Sequence, residues 1–140
     1  MGVLTTDVAV GTELLAVTRS VDRARLVRYA GASGDFNPIH WNERFALEVG
    51  LPGVIAHGML TMGLAAAALT DWLEDATDLL SYGVRFTRPV AVPDPGEVLV
   101  DITAVVGAVD PEAATARVDL KVSANGTTVL GKSQAQVRLR

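Results

Sequence analysis

This 140-residue chain has two histidines, His40 and His57, and each sits in an unusual stretch. The first stretch, YAGASGDFNPIHW from Tyr29 to Trp41, brings Asp35, Asn37, Pro38 and His40 within six residues of one another in a glycine- and serine-rich segment. Histidine titrates near neutrality and can take or give a proton at cellular pH. A carboxylate can orient a water or hydroxyl and hold or exchange its proton. Five residues apart on a loop, Asp35 and His40 can converge on one water, because Pro38 fixes part of the bend. On a helix the same spacing would send them in diverging directions. The second stretch, VIAHGMLTMG, puts His57 and Gly58 where an apolar helix should begin. There the first backbone N–H groups have no helical partner and sit at the positive end of the helix dipole. The chemistry these residues could do is proton transfer beside a hydrogen-bond donor for a developing negative charge.

Each residue also has a plainer role open to it. Asp35 can cap a turn, Asn37-Pro38 commonly opens one, and His57 can fix the loop ahead of the helix without touching a substrate. Asn42 is placed to hydrogen-bond the loop. Ser33 shares the loop with Asp35 and His40, but no strand–turn–helix elbow surrounds it, which argues against a serine triad. GASGD lacks the glycine spacing and following helix of a dinucleotide fingerprint. Asp35, His40 and His57 have no second carboxylate or further histidine to complete a metal site, so no metal is expected. Tyr29, Trp41 and Trp72 read as packing.

Positioning such groups needs a folded frame, and composition supplies one. Nearly half the residues are apolar and a fifth charged, as in an ordinary globular domain, and residues 1–140 read as one domain. A net charge of −4 with no basic block argues against nucleic acid. Ten of the twelve cations are arginine. Arg23, Arg25 and Arg28 cluster, as do Arg85 and Arg88: solvated faces, or a docking edge for an anionic carrier or nucleotide phosphate. Absence of cysteine excludes disulfides and thiolate chemistry. With no secretory leader or spanning segment evident, a cytoplasmic protein without a membrane role is the expectation.

The C-terminal half alternates with period two. In SYGVRFT, Tyr82, Val84 and Phe86 share one face; in RVDLKVS, Val118, Leu120 and Val122 do; further on, Val129, Ala135, Val137 and Leu139 do. One apolar face per strand predicts half-buried antiparallel strands. EVLVDITAVV is more apolar and predicts a central strand. Asn125-Gly126 and Asp110-Pro111 mark turns, and VPDPGE a crossover. Four strands are expected from about Leu79 onward, with TELLAVTRSV as a fifth. Asp22 should cap a helix through about Ala30, and a shorter helix should cover Asn42 to Val49. A long helix from Gly58 to about Asp75 is apolar on nearly every face and is expected to be buried almost all round. Gly63 and Ala65 to Ala68 would let a sheet approach it closely. The expected fold is therefore α+β: an antiparallel sheet of about five strands wrapped around an apolar central helix, the hot-dog arrangement.

YAGASGDFNPIHWNERFA resembles the hydratase motif of the MaoC-like, (R)-specific enoyl hydratase family, with Asp35, Asn37, Pro38, His40, Asn42 and Ala46 falling where that pattern places its residues. AHGMLTMG is similar to the family's central-helix start and VRFTRPVAVPD to its next strand. The resemblance implies a (3R)-hydroxyacyl-thioester dehydratase, working in reverse as a trans-2-enoyl-thioester hydratase. It implies Asp35 and His40 as the catalytic pair, the Gly58 backbone N–H as the oxyanion donor, and no cofactor beyond the substrate's own carrier, the phosphopantetheine of acyl carrier protein or coenzyme A. Asn37, Pro38, Asn42 and His57 would support the site. The likeness extends to one subunit of a two-subunit dehydratase of fatty-acid elongation, so a heterodimer with a second hot-dog subunit or a homodimer is expected. The rivals are a coenzyme A-linked hydratase of fatty-acid breakdown or polyester supply and a non-catalytic acyl-binding hot-dog subunit. A thioesterase would need water at the carbonyl carbon, and no residue favours it.

Overall fold

A computed structural model describes residues 2–140. Strand β1 (Glu13–Asp22) runs directly into helix α1 (Arg23–Ser33). The change is made by Asp22, whose carboxylate accepts the Arg25 N–H, the N-cap the sequence predicts. The helix runs to Ser33 rather than Ala30, because Gly34 adopts φ 76° and its N–H caps the Ala30 carbonyl. Helix α2 (Glu43–Glu48) starts after Asn42, whose side chain accepts the Phe45 N–H. Helix α3 (Gly58–Trp72) and strands β2 (Leu79–Phe86), β3 (Glu97–Asp110), β4 (Thr115–Ala124), β5 (Thr127–Thr128) and β6 (Leu130–Arg138) complete the chain.

The strands form one antiparallel sheet in the order β1-β3-β4-β6-β2, with the two-residue β5 paired to β4. β3 lies inside the sheet, as its apolar run predicts, and buries Val98, Val100, Ile102, Ala104 and Val106. On β4, Val118, Leu120 and Val122 face the same core. Asp110 Oδ1 accepts the Ala113 N–H to close one hairpin. Asn125 and Gly126, at φ 51° and 73°, close the next. The five expected strands are all present, with β5 as a short addition.

The central helix differs from expectation in two ways. It stops at Leu73 instead of reaching Asp75, because Asp75 accepts the Thr77 N–H and starts a separate 3-10 turn, Ala76–Asp78. It is also buried on one side only. Leu60, Thr61, Leu64, Ala65, Ala68 and Leu69 are buried, whereas Met59, Gly63, Ala67 and Asp71, four residues apart, form an exposed stripe. Of the small residues, then, Ala65 and Ala68 serve close packing; Gly63 and Ala67 face outward. Phe86 departs likewise. Its strand β2 is the sheet's edge, and the ring is 55% exposed rather than part of the core. Among the described residues no helix is long and apolar enough to cross a bilayer.

Ala65 is fully buried. Replacing it with leucine should overpack the core and destabilise the fold by about 1–3 kcal/mol, read as a lower urea midpoint. An unchanged midpoint would mean that α3 can shift freely on its neighbours.

Candidate active site

The segment between α1 and α2 is irregular but not loose. Ser33 Oγ accepts the Asp35 N–H, Asp35 Oδ1 accepts the Asn37 N–H, and Asn37 Oδ1 accepts the Ile39 N–H, at 3.1, 3.1 and 3.2 Å. Three short polar side chains, two residues apart, thus satisfy successive backbone donors in place of a helix. Pro38 begins a single 3-10 turn, Pro38–His40, which swings the imidazole inward. Asn42 then caps α2, and buried Ala46 seats that helix. Trp41 is more than a packing residue. It is half exposed, and its indole N–H donates to the Phe36 carbonyl at 2.9 Å, bracing the loop from outside.

Both histidines have defined tautomers, because each bonds a carbonyl, which only accepts. His40 Nδ1–H donates to the Ile55 carbonyl at 2.7 Å, which leaves the Nε2 lone pair free. That Nε2 lies 3.8 Å from Asp35 Oδ2. The separation is too long for a direct hydrogen bond and short enough for one oxygen to lie about 2.8 Å from both. The His40 ring is buried, while the Asp35 carboxylate is half exposed. His57 is 1% exposed and donates from Nε2 to the Asp35 carbonyl at 3.1 Å. Its ring stacks on His40, with centroids 3.8 Å apart, and meets the Tyr29 ring edge-on at 4.7 Å. Its Nδ1 is buried without a partner among the described residues. Burial pushes the His57 pKa below its ordinary value; the Asp35 carbonyl pulls the other way, and a charge on His40 would lower it further.

Asp35, His40, His57 and Gly58 line one cavity of about 420 Å³. No side chain caps the start of α3, so the Gly58 N–H has no helical acceptor. The glycine itself has a reason the sequence does not show. A Cβ there would stand 2.8 Å from Cδ1 of Phe86, whose ring closes one side of the cavity. Buried Thr61, one turn along α3, is a part of the wall that sequence reasoning did not pick out, and Arg88, read from the sequence with Arg85 as a solvated face or a docking edge, lines it too. Ligand atoms of Asp35, His40 and His57 come within 4.8 Å of one another. The two imidazoles, however, are stacked at 21° between planes. Metal–nitrogen bonds lie in the ring plane, so near-parallel stacked rings cannot direct both lone pairs at one ion about 2.0–2.1 Å away.

A hot-dog sheet and helix with a carboxylate and an imidazole 3.8 Å apart beside a helix start define the class. The match to known sequences then places the chain within it: residues 6–125 fit the MaoC like domain, and the chain belongs to that family. It is 33% identical over 126 residues to a 3-hydroxybutyryl-CoA dehydratase of Methylorubrum extorquens, covering 89% of this chain and 76% of that protein. It is 44% identical over 78 residues to the 3-hydroxyacyl-thioester dehydratase X of Mycobacterium tuberculosis, covering 56% of this chain but only 27% of that one. A solved MaoC-like dehydratase superposes with a TM-score of 0.94 at 38% identity, over 99% of this chain and 43% of its own. The chain thus spans less than half the length of these last two relatives.

Because burial holds His57 neutral, the folded protein binds fewer protons than the unfolded chain below the ordinary histidine value of about 6.5. The stability this residue contributes is therefore fully present above that pH and is lost as pH falls through it. His57→Gln should show a flatter decline in urea stability than the parent between about pH 7 and about pH 5. Equal slopes would show that His57 titrates alike in both states.

Proposed function

We propose that the chain dehydrates (3R)-3-hydroxyacyl thioesters and, in reverse, hydrates trans-2-enoyl thioesters. The observation that carries this reading is the 3.8 Å approach of Asp35 Oδ2 and His40 Nε2 in a cavity that also holds the start of α3. In dehydration a base takes the proton beside the thioester carbonyl and an acid returns one to the leaving hydroxyl, so water departs and a C=C bond forms. Asp35 and His40 supply base and acid between them, and the proton gained by one replaces that lost by the other. Negative charge on the thioester oxygen in the transition state is met by the Gly58 N–H and the helix dipole, a donor worth about 2.7–4 kcal/mol in comparable sites. Phe86 fixes the wall against which the thioester must lie, and Asn37, Pro38 and Asn42 hold the loop's shape.

The relatives' names, a 3-hydroxyacyl-thioester dehydratase and a 3-hydroxybutyryl-CoA dehydratase, support the reaction class. The finer assignment is the acyl-carrier-protein dehydration step of type II fatty-acid elongation in the cytoplasm, with coenzyme A-linked hydration as the alternative, and with no cofactor besides the thioester's carrier. Strand β2 has an unpaired edge, and Phe86 and Met59 beside it are each more than half exposed. A second hot-dog subunit, identical or not, pairing at that edge would cover them.

Purified protein should convert trans-2-enoyl-CoA to the (R)-3-hydroxyacyl product. Asp35→Asn and His40→Ala should each lower kcat by on the order of 10²-fold or more while circular dichroism stays unchanged. Folded variants as active as the parent would remove the pair from the mechanism and leave an acyl-binding subunit. His57 is assigned a positioning role. His57→Leu should lower kcat by roughly tenfold with little change in KM, and His57→Gln, which keeps a donor for the Asp35 carbonyl, should recover most of the loss. Equal defects in both variants would show that the ring's stacking matters and its N–H does not.

A further inference from the structure

The arginines of this chain are mostly satisfied by the chain itself. Arg19, Arg23, Arg44, Arg117, Arg138 and Arg140 each lie within 4.0 Å of a carboxylate oxygen. Arg25 donates to the Ser20 carbonyl. Arg88 has neither kind of partner among the described residues. It is exposed, and it lines the Asp35–His40 cavity. It also lines a second hollow of about 270 Å³, whose polar side chains besides its own are Asn125 and Thr127. Arg88, Pro89, Val90 and Val129 belong to both walls, so the two spaces adjoin across this segment. Arg88 is the one lysine or arginine lining either space, and Asp35, inside the first, is the one carboxylate. Arg28 and Arg85 also lack carboxylate partners but line neither.

A free guanidinium at the junction of a reaction cavity and a neutral polar hollow suits an anion that leads out of that cavity. We propose that Arg88 binds the phosphate at the end of the substrate's pantetheine arm, and that the arm's amides lie in the Asn125–Thr127 hollow. This rests on the thioester reading above and names how the carrier is held. The phosphate is common to coenzyme A and to the prosthetic group of acyl carrier protein. A guanidinium fork grips it through two charge-assisted hydrogen bonds, which an ammonium reproduces only as a point charge. Net charge on the chain is −4, so without a local cation such an anion would be repelled on approach.

The test compares the parent, Arg88→Ala and Arg88→Lys on one enoyl group carried by coenzyme A, by 4′-phosphopantetheine, by acyl carrier protein and by pantetheine, which has no phosphate. Arg88→Ala should raise KM about tenfold on the three phosphate-bearing substrates with kcat little changed, and leave pantetheine kinetics unaltered. Lysine should restore part of the loss. Titration with free coenzyme A, which needs no turnover, should show the same weakening. If the parent turns over no thioester yet binds both coenzyme A and 4′-phosphopantetheine through Arg88, the dehydratase reading fails and this assignment stands. An equal KM change on pantetheine overturns it. So does a loss confined to the coenzyme A substrate, which would place the recognised anion in the nucleotide instead.

Discussion

The site depends on one hydrogen bond, from His57 Nε2–H to the carbonyl of Asp35. It ties an irregular loop to the first residue before a buried helix. Because the bond engages Asp35's backbone and not its carboxylate, the chain fixes where the acid stands without using up its oxygens. One oxygen then serves the Asn37 N–H and the other faces His40. The bond is modest in net terms, about 0.5–1.5 kcal/mol, but a buried N–H left without its acceptor would cost about 1–3 kcal/mol. The loop is therefore held less by the strength of the contact than by the penalty for losing it. The His40 N–H to the Ile55 carbonyl and the Ile55 N–H to the Ile39 carbonyl fasten the same loop to the strand-like segment that leads into α3.

Charge follows from this packing. Two imidazoles stacked at 3.8 Å cannot both become cations cheaply, and burial disfavours the charged form of His57. His40, whose Nδ1 is engaged by the Ile55 carbonyl, keeps its Nε2 lone pair on the cavity side. A second histidine thus acts as a neutral spacer that stiffens the first and does not compete with it. The same stacking is what spoils the trio as a metal site, since ring planes side by side cannot converge on one ion. The hydrogen bonds that hold the two rings in this stack are therefore also what keeps them from converging on an ion.

Much of this was legible in the chain. Strand alternation gave the buried faces of β4 and β6, the apolar run of β3 its place inside the sheet, Asp22 announced the start of α1, and Asn125-Gly126 its hairpin. The Asp35–His40 spacing pointed to a shared target because Pro38 excludes a continuous helix. The spacing of Ser33, Asp35 and Asn37, each two residues on, also encoded the loop's internal bonds, although a lone serine near a histidine first raises the question of a nucleophile. What sequence could not show was anything fixed by distant partners. Phe86 and Gly58 are 28 residues apart, and only the fold reveals that the ring occupies the glycine's missing side chain. The apolar length of α3 predicts burial but not from which side, since a single sheet covers only one face of a helix. The sequence paired Arg85 with Arg88 as a solvated face or a docking edge, but only the fold separates them, since Arg88 alone of the two lines the cavity.

The location of the cavity is itself a consequence of packing. Where β3 and β4 cross the core, valines, an isoleucine and alanines are wholly buried, and close packing leaves no room for a substrate. The Asp35–His40 cavity opens where the packing runs out, at the end of the edge strand and the start of the helix. Met59 and Phe86, each more than half exposed, lie on that boundary. Water reaching the half-exposed Asp35 carboxylate weakens every electrostatic contact in the site. A surface that excluded solvent there would strengthen the Asp35–His40 interaction and the helix dipole together. The apolar rim that makes a lone subunit look incomplete is thus the same feature that would let a covering partner sharpen its chemistry.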